Sequence, residues 1–151
     1  MQTKVEVRYI LEVPFATPEY DELIALRYEI LRRPLGMTYD PADLALEYNQ
    51  IHLAAYDTAF RPLGCLSLLP MPDGRKMKMR QVAVAEAAQG SGVGRKLVAA
   101  CEQQSRQLGY TKMVLHARDT AVPFYEKLGY IVDGEGFEEV GLPHHAMYKD
   151  L

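Results

Sequence analysis

The chain is poor in cysteine, and it lacks both a long apolar run and an excess of basic charge. Its 151 residues include two cysteines, Cys65 and Cys101. Neither sits in a Cys/His spacing that would hold zinc, so no metal site is expected. Cys65 falls in a strand-like run and Cys101 on the apolar side of a helical run, so both read as buried, reduced thiols of a cytoplasmic protein. No apolar stretch reaches the roughly 20 residues that span a bilayer, which argues against a membrane protein. Residues 1–13 alternate charged and apolar side chains like a strand and lack the layout of a secretory signal. The formal net charge is −3, whereas nucleic-acid binding usually needs a clearly basic surface. Internal repeats, low-complexity tracts and linkers are also missing. What remains is an ordinary globular balance, long enough to bury a core as a single domain over residues 1–151.

The order of elements follows from periodicity and punctuation. Residues 3–13 read as a strand. Thr17 and Pro18 follow as N-cap and first helical residue, and Leu23, Leu26 and Ile30 recur at helical spacing until Pro34 and Gly36. Residues 41–48 predict a short helix capped by Asp40. Strands are expected over 50–56, 63–69 and 76–85, the last two joined by a Pro-Asp-Gly turn. A helix over 95–108 buries Val93, Leu97, Cys101 and Leu108 on one face and stops at Gly109. A strand over 110–117, a helix over 120–128 closed by Gly129, and strands from Tyr130 and over 146–151 complete the chain. This β-α-α-β-β-β-α-β-α-β-β order predicts an α/β (α+β) fold with a central mixed sheet and helices on both faces. In the third long strand the apolar positions slip from Met77 and Met79 to Val82 and Val84. Such a slip predicts a β-bulge between Met79 and Val84.

The most informative stretch is Gln89-Gly90-Ser91-Gly92-Val93-Gly94, between that strand and the following helix. A glycine-rich turn opening a helix gathers backbone N–H groups and the positive end of the helix dipole around an anion. A Walker loop would need Ser or Thr after Gly-Lys to hold magnesium, and here Gly94 is followed by Arg95, Lys96 and Leu97. A dinucleotide fingerprint would need glycine at position 95, which is Arg. Gln89, Gly92 and Gly94 match a third pattern, Gln/Arg-x-x-Gly-x-Gly/Ala, at every fixed position. That pattern resembles the pyrophosphate motif of the GNAT superfamily of N-acetyltransferases. The six residues also fit an ordinary glycine turn before a surface helix, so a second signal has to decide.

That signal is the segment from Asp119 to Tyr130, with Ala121, then Phe124-Tyr125-Glu126-Lys127-Leu128-Gly129. It resembles the second signature of the same superfamily: an acidic or amide residue, Ala, then aromatic-Tyr-x-Lys-Leu-Gly-aromatic. Pro123 departs from the usual pattern but is tolerated in a first helical turn. Phe124 and Leu128 fit core packing. The resemblance spans nearly the whole chain, and residues 27–36 and 137–144 are similar to the ElaA-like branch.

The resemblance implies the GNAT acyl-CoA N-acyltransferase fold and acetyl-CoA as co-substrate. The pyrophosphate would lie on Gln89, Gly90, Ser91, Gly92, Val93, Gly94, Arg95 and Lys96. The pantetheine arm would pair with Val82, Ala83 and Val84 as an added strand, and Ala121 and Phe124 would border the cofactor. Direct transfer to an amine needs a neutral nucleophile, a backbone N–H near Val84 for the carbonyl oxygen, and an acid for the departing thiolate, a role given to Tyr125. No glutamate stands early on the bulged strand, which carries Lys78 and Arg80. Glu138, Glu139, His52, His144 and His145 are candidate bases by type. His144 is preferred because it matches the branch's Pro-His segment and because histidine exchanges protons near neutral pH. Arg32, Arg33, Asp40, Asp43 and Glu47 fall where the acceptor site would be walled, and their mixed charge selects no substrate. The expected acceptor is a small-molecule or peptide amine, and the expected assembly a monomer or homodimer. A non-catalytic acyl-CoA-binding or regulatory module is the alternative, though binding alone needs no proton donor at position 125.

Overall fold

The computed structural model describes residues 5–151. It divides into two compact units, one made of the chain up to Leu69 with Gln81–Cys101, the other of Pro70–Arg80 with Glu102–Leu151.

In the first unit, β1 (Tyr9–Val13), β2 (Ile51–Tyr56) and β3 (Pro62–Pro70) form an antiparallel set. The first strand is shorter than expected. Thr3 and Lys4 lie outside the described residues, and 5–8 are not strand, although the Arg8 N–H still reaches the Tyr56 carbonyl at 2.8 Å. Helix α1 (Pro18–Arg27) begins as the sequence predicts. Thr17 Oγ accepts from the Tyr20 N–H at 3.2 Å and Pro18 needs no donor. The chain then widens into one π-turn, Tyr28–Arg32, tightens into a 3₁₀ turn, Arg33–Leu35, and stops at Gly36 with φ +66°. Helix α2 (Pro41–Ala45) is capped by Asp40 and runs into a 3₁₀ turn over Leu46–Asn49. Val13, Tyr20, Leu23, Ala54, Tyr56, Cys65 and Ala83 form the core, with Leu26 and Ile30 packed against it. Burial of each large apolar side chain contributes about 1.5–3 kcal/mol. Cys65 and Cys101 are buried, and burial pushes the Cys65 thiol up to about 12.

Strand β4 (Lys76–Val84) follows the Pro-Asp-Gly turn, in which Gly74 has φ +69° and Asp73 Oδ1 accepts from the N–H groups of Arg75 and Lys76. The strand hydrogen-bonds in parallel to β5 (Lys112–Arg118) from Lys76↔Lys112 to Met79↔Leu115. Gln81 then adopts φ +56°, a left-handed conformation unusual for a residue with a Cβ. This irregularity falls within the span where the bulge is expected, but the expected change of face does not follow: Met77, Met79 and Ala83 are buried in step, and Val82 and Val84 are half-buried. Helix α3 spans Val93–Gln107, and Gly109 ends it with φ +91°. Leu108 is 53% exposed and does not share the buried face, since the helix ends before it.

In the second unit, a 3₁₀ turn (Asp119–Ala121) leads into α4 (Val122–Lys127), closed by Gly129 at φ +95°. The last strand, β8 (Leu142–Asp150), starts earlier than expected. It takes β5 along one edge, and β6 (Ile131–Val132) and β7 (Phe137–Glu139) along the other. Strand β7 is absent from the expected order. It forms a hairpin with β8 through Val140 and Gly141, both at positive φ. The strands pair in the order β1-β2-β3-β4-β5-β8-β6, an eight-stranded mixed sheet with β7 on β8. Among the described residues no helix is long and apolar enough to cross a membrane.

Candidate functional site

In the first unit the glycine turn is held from both ends. The Gln89 side-chain amide donates to the Val84 carbonyl at 3.1 Å, and the Ser91 N–H reaches the Ala88 carbonyl at 3.3 Å. Gly90 and Gly92 take φ +80° and +83°, conformations open to glycine without strain. Val93 is buried and anchors the helix start, while Gln89, Gly90, Ser91, Arg95 and Lys96 are exposed. Gly94 is half-buried. The Arg95 guanidinium folds back over Gly92, with Nη2 3.4 Å from where a Cβ would stand. Gly64 of β3 admits the helix closely: a Cβ there would meet Val93 and Leu97 at 3.0 Å and the Ala83 carbonyl at 3.1 Å. The turn therefore brings a helix start, the positive end of its dipole and a guanidinium together, a setting suited to phosphate oxygens.

The same unit holds a buried polar network. Arg27 donates to both carboxylate oxygens of Glu47 at 2.7 Å, and the Tyr20 hydroxyl donates to Glu47 at 3.0 Å. Glu47, expected as a surface charge of the acceptor wall, is 5% exposed, because Arg27 neutralises it inside the core. Burial opposes the Glu47 charge, but hydrogen bonding and charge from Arg27, with Tyr20 and His52, hold its carboxyl below the usual range. Arg27 Nε donates to the Tyr39 hydroxyl at 3.3 Å, which donates to Gln81 Oε1 at 3.2 Å. The Arg32 guanidinium stacks on the same Tyr39 ring, 4.7 Å from its centroid. The left-handed Gln81 is thus fixed from the side by a chain of hydrogen bonds. His52 is buried between Ser67 Oγ (2.8 Å) and the Glu47 carbonyl (3.2 Å), and burial lowers its pKa. It is a structural histidine.

In the second unit Tyr125 is 7% exposed, with its ring edge-on to Tyr130 at 5.7 Å and to Phe124 at 5.0 Å. Phe124, expected in the core, is 37% exposed. Helix α4 has only six residues, and Tyr125 rather than its neighbour occupies the inward face. Ala121 and Leu128 are half-buried. His144 is 4% exposed; its Nδ1 donates to the Leu142 carbonyl at 2.8 Å and its Nε2 lies 3.6 Å from Glu139 Oε2. Glu139 Oε1 lies 3.1 Å from Nδ1 of His116. Burial opposes the Glu139 charge, but the His116 hydrogen bond and the charges of His116, His144 and Lys78 hold its carboxyl below the usual range. Burial and the neighbouring Arg80 lower the pKa of Lys78, against the pull of Glu139. His145 pairs separately with Asp119 at 2.6 Å, and Glu138 is exposed. The unit thus brings His144 and Glu139 together with a residue the sequence reading missed, His116. Its only sequence signal was its place on the polar side of a strand whose other side is Met113, Leu115 and Ala117. Among the described residues no group of three or more His, Cys, Asp or Glu is arranged to hold a metal ion.

Comparison with known proteins gives the fold and the family. The Bacillus subtilis (strain 168) protein named uncharacterized N-acetyltransferase YjcF is 33% identical over 106 residues, 70% of this chain and 74% of that protein. An aminoglycoside 6'-N-acetyltransferase complexed with coenzyme A superposes with a TM-score of 0.79 at 18% identity, covering 95% of this chain and 97% of that one. Escherichia coli ElaA does so with a TM-score of 0.77 at 21% identity, covering 93% and 98%. The two structural likenesses establish the fold. The family model described as acetyltransferase (GNAT) domain matches residues 42–151, a span that includes both the glycine turn and Tyr125, and the chain belongs to the GNAT family of acetyltransferases.

Proposed function

We propose that the chain transfers the acetyl group of acetyl-CoA directly to a primary amine of a small molecule, peptide or protein. The observation that supports this most is the turn at residues 89–96, where two left-handed glycines, a helix start and the Arg95 guanidinium converge. The pyrophosphate lies on that turn. The pantetheine amides pair with Val82, Ala83 and Val84, beyond the point where the ladder between β4 and β5 ends. A backbone N–H of the irregular stretch takes the acetyl carbonyl oxygen as it gains charge, and Tyr125 protonates the thiolate.

Turnover of acetyl-CoA against a broad panel of amines tests the reading. Coenzyme A binding without turnover of any amine would favour a non-catalytic binding module instead. Gly92→Val tests the turn itself. A β-branched residue at φ +83° costs about 1–2 kcal/mol, which drives the turn out of its binding form and should weaken coenzyme A affinity about tenfold or more. Calorimetry on the folded variant checks it, and unchanged affinity would place the cofactor elsewhere.

A further inference from the structure

We propose that Tyr39 is a positioning residue for acetyl transfer: its hydroxyl holds Gln81 in the left-handed conformation that sets the course of Val82, Ala83 and Val84. This deepens the acetyl-transfer reading above and rests on it, and every group concerned belongs to the first unit. Gln81 has φ +56°, a strained state for a residue with a Cβ. Its own type does not favour that state, as glycine or asparagine would. The hold comes from the side. The Tyr39 hydroxyl donates to Gln81 Oε1 at 3.2 Å and accepts from Arg27 Nε at 3.3 Å. A hydroxyl that accepts from a guanidinium is polarised into a stronger donor. Arg27 is fixed in turn, because it gives two further bonds to Glu47 at 2.7 Å in the core. The Tyr39 ring is fixed as well, with the guanidinium carbons of Arg27 and Arg32 5.0 and 4.7 Å from its centroid.

The hold falls at the end of the stretch that bears on the chemistry. Residues 81–84 are fastened at three places: Gln81 by Tyr39, Ala83 by packing in the core, and the Val84 carbonyl by the Gln89 side-chain amide at 3.1 Å. A pantetheine arm that leaves the turn at residues 89–96 meets Val84 first and Val82 last, so Tyr39 fastens the end where the thioester lies. Were Gln81 to return to an extended φ, its Cβ would turn and carry the side-chain amide away from Tyr39. The backbone N–H groups beyond it would be re-aimed at the same time. An N–H that stabilises the acetyl oxygen is effective when it is already in place, since reorienting it during the reaction offsets what the bond contributes. Tyr39 touches no reacting atom and works through Gln81.

Tyr39→Phe keeps the ring under both guanidinium groups and removes the hydroxyl. In single-turnover acetylation of the best amine of the panel it should lower the rate about tenfold. Coenzyme A affinity by calorimetry should stay unchanged, because the pyrophosphate turn is untouched. Glycine adopts positive φ without being held. In a Gln81→Gly background, whatever that substitution costs by itself, adding Tyr39→Phe should therefore lower the rate by less than about twofold. The hydroxyl's removal strands Arg27 Nε in either background, so a role confined to stability would cost the same rate in both. Backbone NMR shifts of Gln81 read the hold without turnover: left-handed in wild type, and moved toward extended in Tyr39→Phe. An equal rate loss in both backgrounds, no loss in either, a loss found wholly in coenzyme A affinity, or a Gln81 that stays left-handed in Tyr39→Phe would overturn the proposal. Wild-type protein that turns over no amine, whatever the shifts, would instead overturn the acetyl-transfer reading, and the positioning role with it.

Discussion

Replacing Tyr125 by Phe should slow acetyl transfer by about 10²–10⁴-fold, the usual loss when a positioned acid is removed. The loss should appear in turnover and leave acetyl-CoA affinity unchanged, because a group needed only as the C–S bond breaks adds little to ground-state binding. The variant keeps the ring that packs edge-on against Phe124 and Tyr130, so its fold should survive. Single-turnover measurement is the decisive form of the experiment, since slow product release would hide a chemical effect. A Tyr125→Phe enzyme with normal single-turnover rates would reduce Tyr125 to a packing residue and leave water as the proton source.

Replacing Glu47 by Ala should destabilise the protein by about 3–5 kcal/mol, the usual result of stranding one partner of a buried ion pair. Arg27 is 2% exposed and would keep its charge with both of its 2.7 Å bonds gone. Urea unfolding at neutral pH measures this. The pair also sets an acid dependence. The Glu47 carboxyl is held below its usual value in the folded state. Its stabilising contribution is therefore present above the unfolded value of about 4.3 and is lost as pH falls through the folded one. His52 acts with the same sign from about pH 6.5 downward, because burial keeps it neutral while the unfolded chain takes up a proton. Glu47→Gln should flatten the lower of the two acid losses. An unchanged acid slope would show that other carboxylates set it.

What could be read in advance was what depends on neighbours along the chain. Thr17, Asp40, Gly109 and Gly129 act within one turn of themselves, and each caps or closes the expected helix. In β4 the apolar slip from Met79 to Val82 pointed to the stretch where Gln81 turns left-handed, but the buried face keeps its phase through Met77, Met79 and Ala83, because Ala83 and not Val82 or Val84 is the side chain packed in the core. The rest was hidden for definite reasons. Strand β7 has three residues, too few for a period, and the start of β8 contains Pro143, His144 and His145, which read as loop until their register with β5 and β7 is known. Arg27 and Glu47 lie 20 residues apart, and two charges at that distance carry no mark of being buried together. Phe124 was expected in the core because six residues cannot choose a helix face. The contact of His116 with Glu139 became visible only when β8 was seen to pair with β5 on one edge and β7 on the other.

The placement of β8 has a consequence for how the chain matures. This strand is flanked by β5 on one edge and by β6 and β7 on the other, yet it is the last of the eight strands to be synthesised. During translation β5, β6 and β7 emerge with their shared partner still missing, and the edges that β8 will cover stay open. The second unit cannot close until residue 150 has left the ribosome. The strands of the first unit other than β4 are complete by residue 70, so on the growing chain the antiparallel set β1–β2–β3 can form first, while the half bearing Tyr125, His116 and Glu139 waits for the final strand.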